Sequence, residues 1–294
     1  RSMKVLTTTL REEFPGRRIQ VFVKEREYGT NDKVKSLERL RGEARHDVLV
    51  VSDSDIQVGP EYLRRVIAPL ADPSVGLVTC LYRGVLARGW PSLLEGLWIS
   101  TDFQVSVLVA RLLGVRFALG ATMAFRRIDL DRIGGFAPLA EYLADDYRLG
   151  QSISEQGLEI VLSDYVVDTV LPADSWRASW RHRLRWARTL RACRPWGYAG
   201  ALLTFAVPLS LAALAAWPAW WPLAAASLGL RLAAPLAVGA AVLRDPLVLV
   251  CLPLAPLADL VSFAVWVASF FGRDVTWRGA RFRLDGAGRM RRVL

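Results

Sequence analysis

The chain has 294 residues, 53% of them hydrophobic, with 38 Lys and Arg against 28 Asp and Glu, a formal net charge of +10. Its apolar and aromatic content excludes a disordered chain, and having only three cysteines (Cys80, Cys193, Cys251) excludes a disulfide scaffold. Between Pro195 and Gly272 only Arg231, Arg244, Asp245 and Asp259 are charged, which excludes a purely soluble protein.

Residues 5–10 are too short and too polar to be the core of a secretory signal. Residues 19–24 alternate apolar and polar, as a half-buried strand does. The turn Gly29-Thr30-Asn31-Asp32 opens a helix over 33–45, with Val34, Leu37, Leu40 and Ala44 on one face. Residues 47–52 (DVLVVS) form a continuous apolar run of the buried parallel-strand type, ending in Asp53-Ser54-Asp55. Gly59-Pro60 opens the next helix, with Leu63, Val66, Ile67 and Leu70 as its buried stripe. Residues 75–81 read as another buried strand, so the order is that of an open α/β sheet. Residues 92–117 are apolar but carry Glu95, Asp102, Arg111 and Arg116, and read as amphipathic helix that touches a membrane without spanning it. Residues 121–126 predict a strand, Gly134-Gly135 a turn, 139–151 a helix holding Asp145 and Asp146, and 159–164 a last strand.

In 175–194, Trp176, Trp180, Leu184, Ala187 and Leu190 share one side and arginines fill most of the rest, the pattern of an interfacial helix. Three apolar segments follow, 196–217, 220–243 and 247–271, each near the ~20 residues that cross a bilayer. Repeated prolines allow broken or re-entrant pieces, so two to four membrane helices are expected. Asp259 inside the last segment requires a partner, a bundle-facing position or neutrality. The basic excess flanks this stretch: Arg177 to Arg194 before it, Arg273 to Arg292 after it. Such blocks mark the cytoplasmic face of a membrane and attract anionic headgroups. Nucleic acid is the competing partner for a basic chain, but no nucleic-acid motif accompanies the blocks. The organisation is therefore 1–174 as an α/β domain, 175–194 as an interfacial helix, 195–272 as membrane helices and 273–294 as a basic cytoplasmic tail.

Asp53-Ser54-Asp55 follows a strand directly, where ligands bind at the carboxyl ends of open α/β sheets. Two carboxylates there suit a Mg²⁺ or Mn²⁺ ion that bridges phosphate oxygens; helix capping is the alternative use of these residues. A second tripeptide, Asp129-Leu130-Asp131, follows Arg126-Arg127 and reads as an exposed turn or helix start. Asp145-Asp146 is a paired-acid segment of which one carboxylate suits a general base. His182, Arg185 and Trp186 stand at i, i+3 and i+4 on one helix, where Arg185 suits a departing diphosphate.

These elements in this order resemble the glycosyltransferases of families 2 and 21, closest to the ceramide glucosyltransferase-like group and, within it, the bacterial hopanoid-biosynthesis branch. The resemblance rests on Gly29-Thr30-Asn31-Asp32-Lys33-Val34, Val51-Ser52-Asp53-Ser54-Asp55-Ile56 and residues 120–127 (GATMAFRR). It rests also on residues 144–150 (ADDYRLG), His182-Arg183-Leu184-Arg185-Trp186 and Val275-Thr276-Trp277-Arg278-Gly279, so it runs through nearly the whole chain.

The resemblance implies a GT-A-like, Rossmann-like nucleotide-sugar domain followed by transmembrane helices. Asp53 and Asp55 would bind the metal, and Asp53 also the donor. Asn31 and Lys33 would lie near the donor nucleotide, Gly120 and Thr122 would border the sugar, and Asp145 would stand beside the base. Asp146 would be that base; Arg185 and Trp186, with His182 in place of the commoner Gln or Arg, would support the leaving diphosphate and shape the acceptor site. The family's first strand, an early Asp and a membrane helix are expected before Val5, so the resemblance implies an N-terminally truncated domain. It further implies a UDP-sugar donor, a membrane lipid acceptor and a bacterial cytoplasmic membrane with the catalytic domain facing the cytoplasm. The favoured reaction is inverting transfer of N-acetylglucosamine to a hopanoid polyol. Ceramide glucosylation from UDP-glucose, a processive polysaccharide synthase and an inactive membrane-anchored paralogue are the alternatives.

Overall fold

The computed structural model describes residues 3–22, 29–85, 89–171 and 175–293. Helix α1 (Met3–Glu13) leads into irregular chain. The strand expected over 19–24 does not form at 19–22, and its last two residues lie outside the described ones. Helix α2 (Asp32–Glu43) starts where Asn31 caps it, the Asn31 side chain accepting from the Lys33 and Val34 amides. Gly29 before it has φ +66°, and a Cβ there would lie 2.5 Å from that of Ala140. Only glycine permits both the turn and the approach.

Strand β1 (Val48–Ser52) leads through β2 (Ile56–Gln57) to helix α3 (Tyr62–Ile67). Strands β3 (Val75–Thr79) and β4 (Tyr82–Val85) follow, then the helices α4 (Trp90–Trp98) and α5 (Gln104–Leu112), joined by a π-helical turn, Ile99–Phe103. Next come β5 (Thr122–Arg126), α6 (Arg127–Arg132), α7 (Asp145–Ser154), β6 (Glu159–Leu162), β7 (Val167–Val170) and α8 (Trp176–Cys193).

The main sheet has the order β1-β5-β3-β6, and a smaller one the order β2-β7-β4. β3 pairs with β6 and β4 with β7 in parallel, so the fold is mixed α/β. β1 corrects its sequence reading: it pairs antiparallel with β5, Val48 opposite Arg126 and Ser52 opposite Thr122, and is only half-buried. An apolar run specifies burial, not strand direction. Along the sheet, alternate residues enter opposite cores. Val78 and Ala124 meet Tyr62, Val66 and Leu70 of the α3 segment, whereas Leu77, Met123 and Phe125 meet Val34, Leu130, Leu149 and Ile153.

Three local readings need correction. Helix α3 starts at Tyr62, after Gly59-Pro60, and buries Tyr62 and Val66 while Leu63 and Ile67 are exposed. The Tyr62 hydroxyl bonds Ser52 Oγ and Thr122 Oγ1, which turns that face inward. Asp129 is not exposed: it is buried and accepts from Arg126 and Arg132 at 3.1 and 3.0 Å. The helix expected from 139 begins at Asp145, so both acids occupy its first turn.

Beyond α8 lie α9 (Pro195–Gly200), α10 (Ala206–Ala216), α11 (Trp221–Pro235), α12 (Pro246–Cys251) and α13 (Ala255–Phe270). Among the described residues, Trp90–Leu112, Pro218–Val242 and Pro246–Phe270 are long and apolar enough to cross a membrane. Pro195–Thr204 with Ala206–Ala216, bent by 61°, makes a fourth if the pair is one span. Asp259 is fully buried and paired, with Arg231 Nε at 2.9 Å and the Val207 amide at 2.8 Å.

The Arg-rich C-terminus is not a loose tail. It forms an antiparallel sheet, β8 (Asp274–Trp277), β9 (Ala280–Leu284) and β10 (Met290–Arg292). Val275, Phe282, Leu284 and Met290 pack on Leu143, two residues before the acid pair. The alternation in Arg281-Phe282-Arg283-Leu284 is the strand signal that charge counting obscured.

Candidate active site

Asp53 is the first residue past β1, and its amide donates to Ala121 O at 3.2 Å, tying the strand end to the start of β5. Its carboxylate accepts from Lys33 Nζ at 2.9 Å. Lys33 reaches it from the first turn of α2, whose cap, Asn31, is fully buried and donates to Tyr142 O at 2.6 Å. That bond fixes α2 against the loop delivering the second acidic group. Lys33 Nζ also stands 3.7 Å from Asp145 Oδ2. A Cβ at Gly120 would fall 2.9 Å from Asp146 Oδ2 and 3.5 Å from Lys33 Nζ, so the bare backbone of Gly120 admits both groups.

Five predicted residues thus converge: Asp53, Asp145 and Asp146 around the Lys33 ammonium, on Gly120. Burial works against the charge on Lys33, but Asp145, Asp53 and Asp146 outweigh it and raise its proton affinity above the ordinary value. Burial pushes Asp146 up to about 6, the neighbouring Asp145 adds to the rise, and Lys33 opposes it. Asp145 is raised as well, by burial first, with Lys33 again opposing. Asp146 Oδ1 accepts from the Tyr147 amide at 2.7 Å, leaving Oδ2 toward Gly120.

Thr122 and Asp55 sit differently. Thr122 is fully buried below the strand ends, its hydroxyl 3.0 Å from Tyr62 Oη, so it supports the site from beneath and offers no surface to a sugar. Asp55 is exposed on the loop after β1, anchored by its carbonyl, which accepts from the Val170 amide at 2.7 Å. Among the described residues no group of three or more His, Cys, Asp and Glu side chains forms a metal cage. Asp53 and Asp55 are two carboxylates one residue apart, a donor set that fits a hard cation completing its shell with phosphate oxygens and water.

Helix α8 presents His182, Arg185 and Trp186 on one side, as their spacing predicts. His182 Nδ1 lies 2.5 Å from Glu95 Oε1, and Glu95 Oε2 accepts from Ser179 Oγ at 2.9 Å. The Trp186 ring contacts His182, Trp98 and Phe103 at 5.3, 5.7 and 5.0 Å between centroids. Phe103 in turn meets Tyr82 at 5.8 Å. The Tyr82 phenol is buried, and the charges of Asp146, Asp53 and Asp55 add to burial in raising its proton affinity. An aromatic path therefore runs from α8 to the acids. At the far end of α8, burial pushes Cys193 up to about 11, with the Asp146 charge adding to the effect. Arg185 is half-buried, and burial lowers its proton affinity with Glu95 opposing.

Tyr82 and Glu95 were missed by sequence reasoning, since a lone Tyr opening a strand and a lone Glu in an apolar helix carry no pattern. The C-terminal strands were missed too. Met290 donates to Glu141 O at 2.7 Å and accepts from Thr30 Oγ1 at 3.2 Å, clamping the two loops that frame the site.

An α/β sheet with Asp53 at a strand end and the Asp145-Asp146 pair beside it, next to an amphipathic Trp-Arg helix and apolar helices, defines a membrane-associated protein with an acidic site. The sequence pattern of Glycosyl transferase family 21 matches residues 3–290, and the chain belongs to that family. Ceramide glucosyltransferase 1 of Caenorhabditis elegans is 25% identical over 138 residues, 47% of this chain and 30% of that relative's length. A solved structure described as a mycobacterial protein covers 63% of this chain and 59% of its own, at 19% identity and a TM-score of 0.35.

Proposed function

We propose that the protein transfers a sugar from a UDP-sugar to a lipid hydroxyl, with inversion at the anomeric carbon. The observation that carries this reading is Asp146: a carboxylate with proton affinity raised to about 6, held on the glycine floor shared with Lys33. A base with that proton affinity is ionised at neutral pH yet accepts a proton from an attacking hydroxyl. The acceptor oxygen forms its bond to the anomeric carbon as the bond to the diphosphate breaks, and its proton passes to Asp146. Arg185, which has no carboxylate partner among the described residues, faces the developing diphosphate charge. Asp53 and Asp55 would hold a divalent cation, Mg²⁺ or Mn²⁺, which neutralises diphosphate charge when bound. Lys33 frames the donor while buried Asn31 holds the start of α2 in place behind it, and Trp186 with His182 lines the acceptor approach.

The acceptor we favour is a hopanoid polyol and the sugar N-acetylglucosamine. Ceramide glucosylation from UDP-glucose is the second reading, favoured by the similarity to a ceramide glucosyltransferase. Membranes carrying the protein, incubated with labelled UDP-sugars and each lipid in turn, distinguish the two. Labelled ceramide without labelled hopanoid overturns the first reading; no labelled lipid with any donor overturns both. In this reading the catalytic domain lies on the cytoplasmic face, where nucleotide sugars are made and the basic surfaces meet anionic lipid.

A further inference from the structure

Among the described residues, Pro246–Phe270 is the most hydrophobic of the three uninterrupted helices of spanning length, with a mean hydropathy of 2.2 over its best window. Its 25 residues reach ~37 Å at ~1.5 Å per residue, more than the ~30 Å hydrocarbon core. Length and composition alone send it across a bilayer. Its ends do not.

At its start, Arg83 of β4 donates to Leu243 O at 3.0 Å and to Arg244 O, while holding Asp168 of β7 at 2.6 Å. Asp245 accepts from Ser100 Oγ at 2.6 Å and caps the helix at the Leu247 amide. At its end, Arg188 donates to Phe271 O at 2.7 Å and Arg191 to Gly272 O at 2.8 Å. Both ends are therefore pinned to the α/β domain and its α8 helix. Between them Arg183 donates to Ser262 Oγ at 2.7 Å, so α13 runs beside α8 from Ser262 to Phe271. Helix α8 carries six arginines in 18 residues. If α13 stood upright in the bilayer it would draw these charges into hydrocarbon, where they are costly. The rest of the segment's surface, with Leu249, Val250 and Leu257, is exposed and apolar.

We propose that Pro246–Phe270 does not cross the membrane but lies along the interface on the α/β side, its exposed face against lipid acyl chains. The preceding stretch, 195–242, then leaves from Arg194 and returns to Arg83 on the same side. This inference is independent of the sugar, the acceptor and the catalytic assignments.

Single cysteines test it in a chain whose Cys80, Cys193 and Cys251 are replaced by alanine. Glu61→Cys marks the α/β side, Arg244→Cys the start of the segment and Arg273→Cys its end. A membrane-impermeant maleimide applied to sealed vesicles of both orientations is expected to label all three in the same orientation. Labelling of Arg244→Cys and Arg273→Cys from opposite sides overturns the proposal, as does labelling of both opposite to Glu61→Cys. Trypsin applied to the unmodified chain in sealed vesicles provides the mutation-free check. Cleavage after Arg244 and within the Arg-rich C-terminal sheet is expected in the same vesicle population, and cleavage in opposite populations refutes the flat helix.

Discussion

Replacing Asp146 with Asn separates the cost of the base from its use. The rise from the ordinary 3.8 to about 6 corresponds to ~3 kcal/mol by which the folded state disfavours the ionised carboxylate. The folded form binds the proton more tightly than the unfolded chain does. This penalty is therefore absent below about pH 4, develops between about pH 4 and 6, and is complete above. The carboxylate oxygen that accepts from the Tyr147 amide has a carbonyl counterpart in the Asn side chain, so Asp146→Asn removes the charge and keeps the geometry. The lost attraction to Lys33 is already contained in that rise, so ~3 kcal/mol is the ceiling. Thermal unfolding in detergent, followed by tryptophan fluorescence, should show the variant more stable than wild type at pH 7.5 and equal to it near pH 4. Sugar transfer should fall by about 10²–10⁴-fold, the usual contribution of a general base. A variant less stable than wild type at pH 7.5, or a stability difference that ignores pH, refutes the account of how Asp146 is tuned. Unchanged turnover refutes its role.

Lys33→Met removes the ammonium that opposes the rise of Asp145 and Asp146, so the acid limb of the rate profile should move upward from about pH 6; a limb that stays in place counts against the Lys33 coupling. Arg231→Leu leaves Asp259 buried without its ion pair, a change that costs about 3–5 kcal/mol. Arg231→Leu with Asp259→Leu should recover most of that in a thermal assay, and failure to recover it would show that other contacts dominate. Gly29→Ala forces a Cβ within 2.5 Å of Ala140 at φ +66°, costing about 1–3 kcal/mol. Because Asn31 caps α2 only two residues further on, donor KM should rise along with the fall in melting temperature, and an unchanged KM would disconnect that turn from the site.

What the sequence made legible was local. The strand-end position of Asp53 follows from four apolar residues and a serine that run straight into an acid. The shared side of His182, Arg185 and Trp186 follows from 3.6-residue periodicity, and the capping turn before α2 from the residues of 29–32, among which the structure picks Asn31. What it hid was set by long-range partners. Thr122 lies opposite Ser52 across the β1–β5 ladder, and that register turns its hydroxyl into the core. Leu63 yields the buried face of α3 to Tyr62 because two hydroxyls, on Ser52 and Thr122, await the phenol. Glu95 is buried in an apolar helix only because His182 and Ser179 arrive from 84 to 87 residues later to satisfy it. No window of neighbouring residues contains these facts.

The C-terminal sheet shows how the membrane-embedded part and the chemistry share one scaffold. The loop delivering Asp145 and Asp146 has no strand of its own, so its position depends on what it touches. On one side Asn31 donates to Tyr142 O; on the other Met290 donates to Glu141 O, and Arg148, in the acid-pair helix, donates to Ala287 O at 2.8 Å. The same sheet is fastened to α8 through Arg188, which donates to the carbonyl of Asp274 as well as to Phe271. The acids, the Trp-Arg helix and the end of the last apolar helix are thus joined through one small sheet, by the Met290 amide and by the Arg148 and Arg188 side chains. The arginines exposed on those strands, Arg281 and Arg283 among them, are therefore fixed relative to Asp146. In the proposed reading, a basic surface held in that way sets the height of Asp145 and Asp146 above an anionic bilayer, which a freely moving tail of equal charge would not do.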